Sequence, residues 1–244
     1  MQDIDSDGTD ASEDIALTLK RRNFYGRRSG KTIKPHQRLW LSQDLGPLVP
    51  EGIKPEENPE RLPIDLALVF GDGRPVWLEI GFGGGEHLVH MAALNPDIGL
   101  IGCEPFINGV VMLLGKIRRA GVGNLALYPG DVRDLFDVLP DACIDKAFLN
   151  YPDPWHKRRH HGRRFVTPGY LAQLARVLRP GSEFRMATDI PDYVRQALEE
   201  VPKAGFTLEA HCGTPWDDWI STRYEQKALR EGRVPDYLTW RRQG

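Results

Sequence analysis

Asp153 stands between Pro152 and Pro154, with Trp155 behind it and five lysines or arginines in the eight residues that follow His156. Two prolines leave the intervening backbone little freedom, so the carboxylate is held in a rigid extended turn. Trp155 adds a flat apolar face. Lys157, Arg158, Arg159, Arg163 and Arg164 add a cationic run. A pinned carboxylate, an aromatic ring and clustered cations suit a nucleobase attached to a polyanion. The bland alternative is a solvated charged loop. The three histidines at 156, 160 and 161 lack well-spaced further ligands, so no metal is expected.

A second constellation precedes it: Glu79-Ile80-Gly81-Phe82-Gly83-Gly84-Gly85-Glu86. Glycines such as Gly81 and Gly83 let the chain turn tightly and let a ligand approach the backbone. The dinucleotide fingerprint would need glycine at position 86, where Glu86 stands. Glu86 and Glu79 would repel a pyrophosphate. They favour a cofactor bearing an ammonium and a sulfonium, as S-adenosylmethionine does. Glu104, 25 residues after Glu79, suits a pair of ribose hydroxyls in either a nicotinamide or an S-adenosylmethionine site. Asp131 can accept from an adenine amine or cap a helix. Asp189 can accept from the two donors on a guanine edge or favour a helix start. Thr222-Arg223-Tyr224-Glu225 fits both a capping box and a substrate contact. His87 and His90 read as ordinary helix residues.

These groups need a scaffold that gathers them. From Val76 onward, apolar strand signals alternate with helical stripes. Strands are expected at 76–80, 98–103, 125–128, 143–149, 183–188 and 206–210, with a final one near 234–240. Helices are expected at 87–94, 106–117, 132–138, 168–178 and 191–201. Thr167 is placed to cap the fourth of these, and Arg179-Pro180-Gly181 to stop it. Such alternation implies an α/β fold, a mostly parallel sheet covered on both faces. Ligands then bind beyond the carboxyl ends of the strands, where the residues named above fall.

The N-terminal third differs. Residues 1–19 read as an acidic disordered tail, with six acidic side chains in the first 14 positions. Residues 20–69 read as a basic arm and a proline-rich strap. The arm has eight Lys or Arg from Lys20 to Arg38, interleaved with Phe24, Tyr25 and Trp40. It is either a clamp for RNA or a solvated segment. The strap has five prolines between 46 and 63 and is expected to run over the surface. The domain proper is expected over 70–244. The 244-residue chain is 41% hydrophobic and 27% charged, with net charge −2, which excludes collagen-like and wholly disordered classes. Its three cysteines form neither a disulfide framework nor a metal motif. No apolar run approaches a membrane span and no basic leader opens the chain, so a cytoplasmic protein is expected, without membrane contact. Nothing in the chain favours a monomer over a homodimer.

The set E-I-G-F-G-x-G at 79–85, Glu104, Asp131, P-D-P-W-x-K at 152–157 and T-R-Y-E at 222–225 resembles the bacterial tRNA (guanine-N7)-methyltransferases over roughly residues 70–240. The resemblance implies a Rossmann-like class I methyltransferase domain with a seven-stranded sheet and an antiparallel last strand. It implies methylation of a guanine in the tRNA variable loop, so tRNA is the expected partner. It assigns Glu79, Gly81, Gly83, Glu104 and Asp131 to the cofactor, and Asp153 to both cofactor and target base. It assigns Lys157, Asp189, Thr222, Arg223, Tyr224 and Glu225 to the substrate, with Arg158, Arg159, Arg163 and Arg164 to the RNA. Tyr151 in place of Phe, Gly162 in place of a basic residue, and Arg223-Tyr224 in place of Lys-Phe depart from the family pattern. Competing readings are a methyltransferase for a small or protein substrate, a nicotinamide-dependent oxidoreductase, and a non-catalytic RNA-binding module.

Overall fold

The computed structural model describes residues 24–244; the acidic tail and Lys20, Arg21 and Arg22 lie outside the described residues. Seven strands form one sheet: β1 Val76–Ile80, β2 Gly99–Cys103, β3 Leu125–Tyr128, β4 Ile144–Asn150, β5 Leu178–Thr188, β6 Phe206–Cys212 and β7 Asp236–Arg242. Their order is β3-β2-β1-β4-β5-β7-β6. The first five in this order run parallel, and β7 lies antiparallel between β5 and β6. The described helices are α1 Pro35–Gln43, α2 Leu66–Phe70, α3 Glu86–Leu94, α4 Ile107–Ala120, α5 Val132–Phe136, α6 Pro168–Val177, α7 Pro191–Lys203 and α8 Arg223–Arg230.

Burial on both faces explains the apolar strands. One core joins Leu78, Ile80, Leu149, Phe184, Met186 and Trp240 to Leu171 and Leu174 of α6 and Tyr193 and Ala197 of α7. The other joins Leu100, Leu127 and Phe148 to Leu88 and Met91 of α3 and Val110, Leu113 and Leu114 of α4. Each large side chain contributes about 1.5–3 kcal/mol by leaving water. The strand ends are therefore firmly fixed, and the loops leaving them start from a rigid base. Order reverses between β1 and β4, and that is where a crevice opens at the carboxyl edge.

The N-terminal segments are more than a surface wrapping. Trp40 of α1 lies over Gly115 of α4, where a Cβ would come within 2.9 Å of the indole. It therefore packs and is not free to stack on a base. The proline-rich strap contributes one core residue, Ile53, fully buried. Arg61 fastens the strap by donating to the carbonyls of Ile53 at 2.7 Å and Asp134 at 2.5 Å. Two local expectations shift. Thr167 occupies the position before α6 but makes no side-chain cap. Arg179, Pro180 and Gly181 lie within β5, since Leu178 already pairs with Ile144.

Candidate active site

A cavity of about 380 Å³ opens at the carboxyl ends of the strands. Its wall takes Gly81 and Gly83 after β1, Glu104 after β2, Asp131 after β3 and Asp153 after β4. Tyr224 of α8 and residues 24–27 of the arm close it from outside. The arm is tied down at the start of α4: Ile107 N–H donates to the Arg28 carbonyl at 3.0 Å, and Asn108 bonds Gly30 and Lys31 at 2.7 Å each.

On the glycine side, Gly81 and Gly83 adopt φ of +69° and +56°, a region side chains rarely enter. Gly109 of α4 lies so near that a Cβ would sit 2.2 Å from the Gly83 carbonyl oxygen. Glu104 links the two elements, accepting from Gly83 N–H and Phe106 N–H, each at 2.8 Å. Burial pushes its carboxyl up to about 6, against the pull of those two amides. Asp131 caps α5 through Arg133 N–H at 2.9 Å, and the Arg133 guanidinium grips both its oxygens at 3.0 and 2.6 Å. Glu79 sits behind the glycine turn, buried, and accepts from His87 Nδ1 at 2.8 Å. His87 is itself held between Phe148 and Trp219.

On the other side, the P-D-P-W turn is bracketed by two residues in left-handed backbone, Tyr151 at φ +50° and Trp155 at +42°. Each such residue costs about 1–2 kcal/mol. The turn is thus strained as well as proline-stiffened. Asp153 faces the cavity, and desolvation by the surrounding walls raises its carboxyl above the usual range. Lys157, Arg158 and Arg159 are exposed. The Arg163 guanidinium lies 4.4 Å from the Tyr25 ring and 5.1 Å from Trp155, joining arm to turn. Arg164 departs from the rest of the run, with 1% exposure.

The T-R-Y-E residues take four different places. Thr222 Oγ1 accepts from Glu225 N–H at 3.2 Å, half of a capping box. The Glu225 carboxylate turns inward instead of back to the cap, accepting from Trp219 Nε1 at 3.0 Å and from the Tyr237 hydroxyl. Arg223 lies over Gly84 and beside Glu86. Tyr224 alone of the four reaches the cavity wall. Asp189 pairs with Arg233 at 2.7 Å, beside the cavity and not on it.

The cavity therefore gathers Gly81, Gly83, Glu104, Asp131, Asp153, Arg163 and Tyr224. Glu79, Asp189, Thr222, Arg223 and Glu225 stand behind or beside it, and Arg164 is interior. The sequence alone does not single out Arg133, or give His87 a role. It also passes over Asn150, whose buried amide has no hydrogen-bond partner among the described residues. Its position just before the turn was the available signal.

A family profile described as a putative methyltransferase matches residues 73–235. The chain is 75% identical over 223 residues to the tRNA (guanine-N(7)-)-methyltransferase of Cereibacter sphaeroides, covering 91% of this chain and 92% of that one. Identity is 71% to the Paracoccus denitrificans protein of the same name, covering 91% and 95%. It is 45% to that of Brucella melitensis, covering 89% and 94%. In fold, the chain resembles the 16S rRNA methyltransferase KamB with a TM-score of 0.54 at 18% identity, covering 72% of this chain and 94% of that one. An antibiotic-related methyltransferase gives 0.55 at 17%, covering 81% and 100%. With its sheet order, its strand-end cavity and this degree of identity, the chain belongs to the tRNA (guanine-N(7)-)-methyltransferase family.

Proposed function

We propose that this protein transfers a methyl group from S-adenosylmethionine to N7 of a guanine in the tRNA variable loop. The observation that carries the reading is one cavity wall bearing both the glycine turn with its carboxylates and the strained turn with Asp153. The wall fits the cofactor. Glu104 and Asp131 offer acceptors for hydroxyl and amine donors, and Ile80, Cys103 and Leu149 offer an apolar floor. The start of α3, where a pyrophosphate would bind, is occupied by Glu86 paired with Lys116 at 3.1 Å.

Bound in this cavity, S-adenosylmethionine would supply a sulfonium methyl to N7, the C–N bond forming as the C–S bond breaks, so that a neutral thioether and a cationic base would result. Asp153 needs no proton to remove, because N7 carries a free lone pair. Its fixed carboxylate faces the positive charge that develops on the base. The rigid walls hold the reactants in line, which contributes on the order of 7–11 kcal/mol. Exposed Lys157, Arg158 and Arg159 flank the turn where phosphates of a base-flipped RNA would run. A tRNA substrate places the enzyme in the cytoplasm.

The test is incubation with unmodified tRNA transcript and methyl-labelled S-adenosylmethionine, followed by nucleoside analysis. We expect 7-methylguanosine, lost when the variable-loop guanine is replaced. Asp153→Asn is expected to lower kcat about 100-fold or more while the fold persists. Label in another nucleoside, or near-normal turnover by the variant, overturns the assignment.

A further inference from the structure

Arg164 ends the cationic run, yet its side chain is interior, with Nε and Nη1 engaged and the buried Nη2 without a hydrogen-bond partner among the described residues. Its Nε donates to the Pro154 carbonyl at 2.8 Å. Its Nη1 meets Gln196 Oε1 at 2.8 Å and Asp192 Oδ2 at 2.9 Å, both on α7. Its guanidinium lies 4.8 Å from the Tyr193 ring centre. Gln196 in turn donates to the Val166 carbonyl at 2.6 Å, and Tyr193 receives Phe165 N–H at 2.9 Å. The segment after the charged loop is thereby sewn to α7.

A buried charge persists only when it is paired and hydrogen-bonded. Arg164 meets that condition by bridging the residue after Asp153 to a helix that starts just past Asp189. Pro154 has no N–H, and left-handed Tyr151 and Trp155 lie on either side. A strained turn persists only where its surroundings over-determine it. Here the guanidinium supplies that constraint from behind.

We propose that Arg164 is a positioning residue for methyl transfer: it fixes the turn that carries Asp153 by bracing the Pro154 carbonyl against Asp192 and Gln196. This rests on the reading that Asp153 faces the target base. Arg164 touches no RNA in this role, unlike its exposed neighbours. Lysine is a poor replacement, since one ammonium lacks the planar fork that reaches Pro154 and α7 together.

The experiment measures kcat and KM for tRNA, and tRNA affinity against salt, for the full-length Arg164→Gln, Arg164→Lys, Gln196→Ala and Arg158→Gln variants. Arg164→Gln is expected to lower kcat about 30-fold, with KM within about twofold and an unchanged salt slope. Arg164→Lys should recover part of that loss. Gln196→Ala removes one anchor and leaves the guanidinium in place, so kcat should fall about threefold. Arg158→Gln should instead raise KM and flatten the salt slope by about one contact. The proposal is overturned if Arg164→Gln behaves like Arg158→Gln. It is also overturned if Gln196→Ala and Arg164→Lys both keep wild-type kcat. If the wild-type chain methylates no tRNA, the functional reading has failed, and amide hydrogen exchange at Asp153 and Trp155 still decides the brace. Faster exchange in Gln196→Ala supports it; unchanged exchange overturns it.

Discussion

Two opposed forces act on the carboxyl of Glu104. Burial disfavours its charge, while the amides of Gly83 and Phe106 favour it, and the balance lies at about 6 against a usual 4.5. A raised value means the fold holds the proton better than the unfolded chain does. That contribution to stability is complete below about pH 4.5 and is lost as pH rises through about 6. The ribose contact proposed for Glu104 makes the opposite demand, since only the ionised form accepts with both oxygens. Cofactor affinity is therefore expected to fall about tenfold between pH 7 and pH 5, following the ionised fraction. Isothermal titration with S-adenosylmethionine across that range checks it. A Glu104→Gln variant should bind weakly throughout with a flattened profile; a wild-type profile flat to pH 5 removes Glu104 from the cofactor site. The candidate site is only partly legible in the sequence. Asp153 and Glu104 announce themselves by prolines and by strand spacing. Arg163 and Arg164 are adjacent and chemically identical, and only three-dimensional packing separates a guanidinium between two rings from one locked beneath the turn.

At the scale of elements, the glycine turn is held from outside by α4 and by the start of α8. Gly85, which precedes α3, has φ +73°, and a Cβ there would lie 2.5 Å from Leu113 Cδ1. Gly121, which ends α4, has φ +67° and nothing within 4 Å. Replacing each by alanine separates the two penalties. Gly121→Ala is expected to lose only the backbone contribution, about 1–2 kcal/mol. Gly85→Ala adds overpacking against Leu113, about 1–3 kcal/mol more. Denaturant midpoints at constant slope measure the difference, and equal losses would mean that α4 does not press on the turn. The strand-to-helix alternation was visible because buried strands read as apolar runs and α4 as a periodic stripe. The packing of α1 and the strap was not. Trp40 lies among basic residues and Ile53 among prolines, so neither belongs to a periodic pattern, and Trp40 finds its place only against Gly115 of a distant helix.

For the whole molecule, the net charge of −2 conceals its arrangement. The arm meets the loop after Asp153 through the Tyr25–Arg163–Trp155 stack, and Arg27 and Arg163 border one cavity, with Lys157, Arg158 and Arg159 exposed on the same loop. A polyanion crossing that border releases counterions, and affinity should fall steeply and linearly on a log–log plot against salt. The contribution of the arm is separable. Lys31 lies beyond the stack and its carbonyl is tied to Asn108, which leaves its ammonium facing outward. Arg28 lies 5.3 Å over the Phe24 ring. Replacing Arg27, Arg28 and Lys31 together by glutamine is expected to reduce the magnitude of the salt slope by about two to three and to weaken tRNA binding most at low salt. Fluorescence anisotropy of labelled tRNA between 50 and 200 mM salt, roughly the range where such contacts change affinity most, reads both. A variant with the wild-type slope would confine RNA binding to the loop after Asp153 and leave the arm as a wall of the cofactor cavity. A reduced slope makes the arm part of both sites, so that the segment covering the cofactor also holds the RNA that receives the methyl group.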